Sequence, residues 1–184
     1  MNLAILIGVS EYTSQPQLPA CKKDVELIKR ITELSDKFNS TLFISEGTNT
    51  QDVKAKLAAF VSEHEGKKID EIFFYFSGHG FFNGVDFHYI MSDFDSSKIR
   101  TTSLENSELD VMIKSLQPEL AVKIVDACNS GIAYIKDPNA LEKHLQANEQ
   151  RFKKCYFMLS SGEDQPSYAN NQLSFFTKAI GDAV

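Results

Sequence analysis

Cysteine is scarce in this chain of 184 residues: Cys21, Cys128 and Cys155 are all there is. An odd count of three excludes a disulfide scaffold, and no CxxC pair or Cys/His spacing offers a zinc site. Few cysteines without pairing suit a reducing compartment, so the expected location is cytoplasmic. No apolar run approaches the ~18–20 residues that a membrane helix needs. Basic residues are outnumbered, 19 against 25, and the net charge of −6 is spread along the chain rather than gathered in blocks. That argues against a nucleic acid or an anionic membrane as partner, since both require concentrated Lys and Arg. The opening residues carry no basic segment or small-residue cleavage site of the secretory kind. No glycine-rich loop follows the first apolar run, where Gly8 stands alone, which weakens a nucleotide-binding reading. Internal repeats and low-complexity linkers are lacking as well. The length suits one domain, residues 1–184.

What is present is an alternation of apolar runs with helical periodicity. Strands are predicted at Leu3–Val9, Thr41–Ser45, Glu71–Ser77, His88–Met91, Ala121–Val125 and Cys155–Leu159. Helices are predicted from Ala20 onward, with Val25, Leu27, Ile28, Ile31 and Leu34 as the apolar set, and at Thr50–His64, Asn106–Leu116, Asn139–Phe152 and Leu173–Ile180. Asn83-Gly84 is a hairpin signal. Nearly continuous apolar strands alternating with amphipathic helices imply a mostly parallel sheet covered on both faces, an α/β/α sandwich. In such sheets the functional crevice lies beyond the carboxyl ends of the strands. The segments expected there are Ser10–Asp24, Ser77–Phe82, Asp126–Gly131 and Ser160–Leu173.

Two of those segments carry chemistry. In "FFYFSGHGFF" His79 sits between two glycines at what reads as a strand end followed by a turn; in "VDACNSG" Cys128 stands at the next strand end. Together they suggest a Cys–His dyad. An imidazole near a thiol favours the thiolate or takes its proton during attack, and then protonates the leaving amine. The amides of Gly80 and Cys128 are candidates for the oxyanion hole, because glycine lets a substrate approach the main chain. Phe81 and Phe82 follow the histidine and are expected to wall the cleft. His64 and His144 lie on polar helical stretches and are expected in solvent, and His88 is a weaker candidate for the cleft. Cys155, opening an apolar strand, reads as core.

The chain resembles the caspase-type cysteine peptidases, nearer to metacaspases and bacterial caspase-like proteases than to animal caspases. The collinear matches are "LAILIGVSEY", "LPACKKDVELI", "FFYFSGHG" and "IVDACNSG", with "MLSSGEDQPSYANNQLSFFTKAI" as a weaker fifth. The resemblance implies the caspase-hemoglobinase fold and a cysteine endopeptidase with Cys128 as nucleophile and His79 as general acid/base. It implies cleavage after Arg, with Lys also accepted, through Asp24 and Asp126, with Cys21 and Ser77 lining the pocket. In some relatives calcium binds through acidic residues in the region of Asp93, Asp95 and Asp110, so Ca2+ is a further, softer implication; the chemistry itself needs no cofactor. Self-cleavage at Lys98, Arg100 or Lys136 is implied by the family's habits, as is a protein or peptide substrate. A regulatory domain, partner protein or small nucleotide activator, and a role in antiviral defence, belong to the same set of implications. The second function class is a catalytically silent caspase-like module that binds or receives a signal.

Overall fold

The computed structural model describes residues 1–129, 152–160 and 173–183, with 128 and 129 described as backbone only. The expected helix Asn139–Phe152 apart from its last residue, Gly131, Lys136, His144 and most of the loop 160–173 lie outside the described residues. A mostly parallel central sheet is flanked by helices, as an α/β/α sandwich requires. Strand β1 (Asn2–Gly8) pairs in parallel with β2 (Ser40–Ile44) on one side and β3 (Glu71–Phe82) on the other. β3 pairs in parallel with β6 (Leu120–Asn129), and β6 with β7 (Cys155–Leu159). Two short strands, β4 (Phe87–Ile90) and β5 (Ser103–Glu105), extend the sheet antiparallel from the end of β3.

The sequence pattern explains most of this. Leu3 to Ile7 are almost completely buried, because a parallel strand is covered on both faces and cannot alternate with solvent. Helix α1 (Pro19–Leu34) begins with proline in its first turn, where no amide partner is lost, and buries Ala20, Cys21, Asp24, Val25, Ile28 and Thr32. Leu34, expected on that face, is instead 85% exposed, since the inward stripe runs through Thr32 at the last turn. Helix α2 (Thr50–His64) is capped by Asn49, whose side chain accepts from the Asp52 amide at 3.0 Å. Its inward face is Val53, Leu57, Phe60 and His64. His64 is therefore not in solvent as expected; it is 1% exposed, its ring tilted against that of Phe60, and its Nδ1 donates to the Phe60 carbonyl at 2.8 Å. Helix α3 (Asn106–Ser115) covers the same side of the sheet as α2, and α4 (Phe175–Asp182) joins α1 on the other side.

The expected turn at Gly78-His79-Gly80 is corrected. β3 continues unbroken through Phe82, and β6 likewise continues to Asn129. The glycines serve close packing rather than a reversal. A Cβ on Gly80 would come within 2.5 Å of the Phe87 ring, and one on Gly78 within 2.8 Å of Phe76 and 2.9 Å of the Tyr12 hydroxyl. The reversal comes later, at Gly84 with φ +91°, where the Asn83 side chain accepts from the amides of Val85 and Asp86. Phe81 and Phe82, expected to wall the cleft, are buried at 5% and 2%. Phe81 stacks on His88, which is itself enclosed between Ser103 and Asn83 rather than facing a cleft.

One buried charge breaks the apolar pattern of β6. Lys123 is 2% exposed, and its Nζ donates to Asp110 Oδ1 at 2.7 Å and to Asn106 Oδ1. Tyr89 donates to the same Asn106 oxygen at 2.9 Å, so one polar cluster ties β4, β6 and α3 together. Removing Lys123 leaves the buried Asp110 with the more distant Lys114, 4.0 Å away, and breaking a buried pair costs about 3–5 kcal/mol. Lys123→Met is expected to lose that much in urea unfolding, and the double change Lys123→Met with Asp110→Leu to recover most of it. A single variant as stable as the parent would show that the pair carries no weight.

Candidate active site

The site grows from the ladder between β3 and β6. Ser77 is the register partner of Asp126, and two residues further His79 is the partner of Cys128. Adjacent strands lie about 4.8 Å apart, and residues two apart on one strand share a face. Tyr75 and Ile124 pack in the cluster beneath α1 and α4, so the positions in step with them, 77, 79, 126 and 128, fall on that face.

His79 is 4% exposed, and its surroundings fix its protonation. Nε2 lies 2.9 Å from the Pro16 carbonyl, which can only accept, so Nε2 carries the proton. In the neutral ring Nδ1 then holds the lone pair, and it is buried without a hydrogen-bond partner among the described residues. The His79 amide donates to the Tyr12 hydroxyl at 2.8 Å, and the two rings lie 4.7 Å apart. Burial lowers the imidazole's pKa below its usual value, opposed by the Pro16 carbonyl, which favours the protonated ring. The result is a neutral imidazole, held by backbone and a phenol, with an unused basic nitrogen. Buried polar atoms are nearly always paired, so such an orphan points to a missing partner.

Behind His79 on the same side of the sheet lie two buried acids. Asp24, in the first turns of α1, is fully buried, and Asp126 on β6 is 3% exposed. Asp24 Oδ2 accepts from the Ser77 hydroxyl at 3.0 Å and Oδ1 from the Ser174 amide at 2.9 Å. Asp126 Oδ2 accepts from the hydroxyls of Ser174 and Thr177, the latter at 2.6 Å. Burial drives the Asp24 carboxyl up to about 6, the Ser174 amide opposes this, and the like charge of Asp126 adds to it. Cys21, three residues before Asp24, is buried on the same helix face. Helix α1 can come this close because residue 8 is glycine; a Cβ there would meet the Cys21 carbonyl at 2.8 Å.

The structure thus brings together His79, Ser77, Asp24, Asp126 and the backbone of Cys128. The Cys128 side chain lies outside what is described. Gly80 sits inside the strand, flanked by Asn129 on β6 and Tyr89 on β4. The acids considered for calcium have separate duties: Asp110 neutralises Lys123, Asp93 accepts from the Thr50 amide and hydroxyl at 2.8 Å, and Asp95 accepts from Ser97. Among the described residues no group of three His, Cys, Asp or Glu side chains comes together as a cation site. Lys98 and Arg100 lie on the exposed segment before β5, with the Arg100 guanidinium 3.2 Å from Glu105.

Several participants were not singled out by sequence reasoning. Pro16 contributes a backbone carbonyl, which leaves no mark in a residue pattern. Tyr12 lay within a recognised motif without an assigned role. Ser174 and Thr177 are about 50 to 150 residues from the acids they serve, Tyr75 reaches them only through Thr177, and the only local signal at Ser174 is its suitability as a helix cap.

Comparison with known proteins agrees with this architecture. Over 97% of its length the chain superposes on 80% of a crystallographically determined protein from Geobacter sulfurreducens, with a TM-score of 0.64 at 17% identity, which shows a shared fold. No curated protein matches the chain. No helix among the described residues is long and apolar enough to cross a membrane. The caspase-domain model matches residues 1–184 from end to end, and the chain belongs to that family of cysteine peptidases, whose substrates are proteins.

Proposed function

We propose that the protein is an endopeptidase that cleaves after a basic residue, Arg before Lys, with Cys128 as nucleophile and His79 as general acid/base. The observation that carries this reading is the buried acid pair set two residues behind the His79–Cys128 level of the β3–β6 ladder. A guanidinium reaching down from the scissile bond would meet two carboxylates, and charge-assisted hydrogen bonds of that kind are the strong ones. An acidic substrate side chain would instead add a third negative charge beside them.

In this mechanism His79 Nδ1 accepts the Cys128 proton as sulfur attacks the substrate carbonyl carbon. The oxyanion is assigned to the backbone N–H groups of Gly80 and Cys128. Collapse of the tetrahedral intermediate breaks the C–N bond as Nδ1–H protonates the departing amine, leaving a thioester. Water, deprotonated by the same nitrogen, then cleaves the thioester and restores the thiol. Pro16 holds the ring so that the nitrogen facing the reaction is the unprotonated one.

Peptides with a reporter after Arg, Lys or Asp test the reading: cleavage is expected after Arg, then Lys, and not after Asp. Cys128→Ala is expected to fall to background, and His79→Ala to lose about 10²–10⁴-fold. Turnover in Cys128→Ala, or preference for Asp, contradicts it.

The pH profile gives a second test. With Asp24 at about 6, its carboxylate is ionised above that pH and neutral below it. For an Arg substrate kcat/KM is therefore expected to fall as pH drops through about 6, mainly through KM. Asp24→Asn should remove that contribution and cost about 10- to 100-fold at neutral pH, the value of hydrogen bonds to a charged partner. An unchanged profile in the variant would remove Asp24 from the pocket.

A further inference from the structure

The two acids are buried side by side, and something must stop them from sharing a proton or turning apart. The donors that could do so come from α4. Ser174 touches both acids at once, its amide donating to Asp24 Oδ1 at 2.9 Å and its hydroxyl to Asp126 Oδ2. Thr177, one turn later and fully buried, donates its hydroxyl to the same Asp126 oxygen at 2.6 Å.

Each hydroxyl is itself oriented from behind. The Ser174 oxygen accepts the Thr177 amide at 3.1 Å, so its one proton is aimed at Asp126. The Thr177 oxygen lies 2.5 Å from the Tyr75 hydroxyl; having given its own proton to the carboxylate, it must accept the phenol's. Burial keeps that phenol protonated. Chains of this kind polarise one another in an interior of low dielectric.

We propose that Ser174 and Thr177 are specificity-determining positioning residues, a hydroxyl clamp that keeps Asp24 and Asp126 side by side as paired acceptors for a guanidinium. The inference rests on the basic-residue reading above and goes beyond it in assigning the pocket's geometry and charge to a helix remote in sequence. A helix-cap role alone does not account for the arrangement. Capping uses only the acceptor side of Ser174, and Thr177 has no capping duty. A helical threonine ordinarily returns its hydroxyl to the preceding turn's carbonyl, whereas this one turns to a carboxylate on the sheet. Asp24 accepts one donor on each oxygen, from Ser77 and Ser174, and a carboxylate offers about four acceptor sites, so its capacity to accept from a guanidinium is not exhausted.

The test uses Thr177→Val, which keeps shape and removes the hydroxyl, Thr177→Ser, which keeps the hydroxyl, and Ser174→Ala. With an Arg reporter peptide, Thr177→Val and Ser174→Ala are expected to raise KM about tenfold with kcat within about twofold, and to move the acidic fall of kcat/KM to higher pH. Thr177→Ser is expected to stay within about twofold of the parent in both constants. Carbon-13 NMR titration of labelled aspartates supplies a readout without turnover: in Thr177→Val one of the two carboxyls should titrate at higher pH than in the parent. If the parent cleaves after Arg but Thr177→Val keeps its KM, its profile and its carboxyl titration, the clamp is refuted and the peptidase reading stands. If kcat and melting temperature fall in Thr177→Val while KM and the titration hold, the role is structural and the clamp is again refuted. If the parent does not cleave after Arg or Lys, both readings fall.

Discussion

The unbroken parallel ladder from Glu71↔Leu120 to Gly80↔Asn129 is the constraint on which the site depends. Because side chains alternate across a strand, a slip of one residue would move His79 and Ser77 to the opposite face from Asp126 and Cys128. The register is held by the apolar core on both faces and by the Lys123–Asp110–Asn106–Tyr89 cluster, which pins β6 and β4 against α3. Gly78 and Gly80 permit it, since any larger residue would push the aromatic neighbours away and open the ladder where the histidine sits. The positions of His79 and Cys128 are thus set by strand pairing rather than by a loop.

Two buried charge systems lie on opposite faces of β6 and differ in how they are balanced. Lys123 and Asp110 neutralise each other and satisfy their remaining sites with Asn106, the condition under which charge is tolerated in an interior. Asp24 and Asp126 have the same sign, and the upward displacement of Asp24 records first the cost of burying it and then the charge of its neighbour. Asp24 ionises less readily in the folded chain than unfolded, so it lowers stability at neutral pH. Strained electrostatics of this kind gather at functional sites, and the proposed specificity for a basic residue would draw on them. Hydroxyl donors from Ser77, Ser174 and Thr177 offset part of the cost without supplying charge.

Much of the fold was legible in the sequence, because continuous apolar runs and helical stripes are direct consequences of burial. Helix Thr50–His64 and strand Cys155–Leu159 were placed to the residue. The ends of β3 and β6 were not, since glycine carries the same letter whether it makes a turn or lets a ring pack close. His64 looked solvated because polar neighbours surround it in sequence, while the helix turns it inward beside Phe60. The acids and the histidine were visible as residue types within motifs. The groups that orient them were not: a proline carbonyl, a phenol and two hydroxyls are common residues, and only the fold brings them to the site.

The central claim is that the Cys128 sulfur and the His79 imidazole stand within reach of one another in the folded protein. A 1,3-dihaloacetone, whose two electrophilic carbons flank a single carbonyl, tests this directly when the folded protein is treated briefly and its peptides are mapped by mass spectrometry. The account predicts one bridged product joining the peptides that contain Cys128 and His79, absent in His79→Ala. Alkylation of Cys128 with no bridge to His79, at equal reactivity in the two proteins, would contradict it.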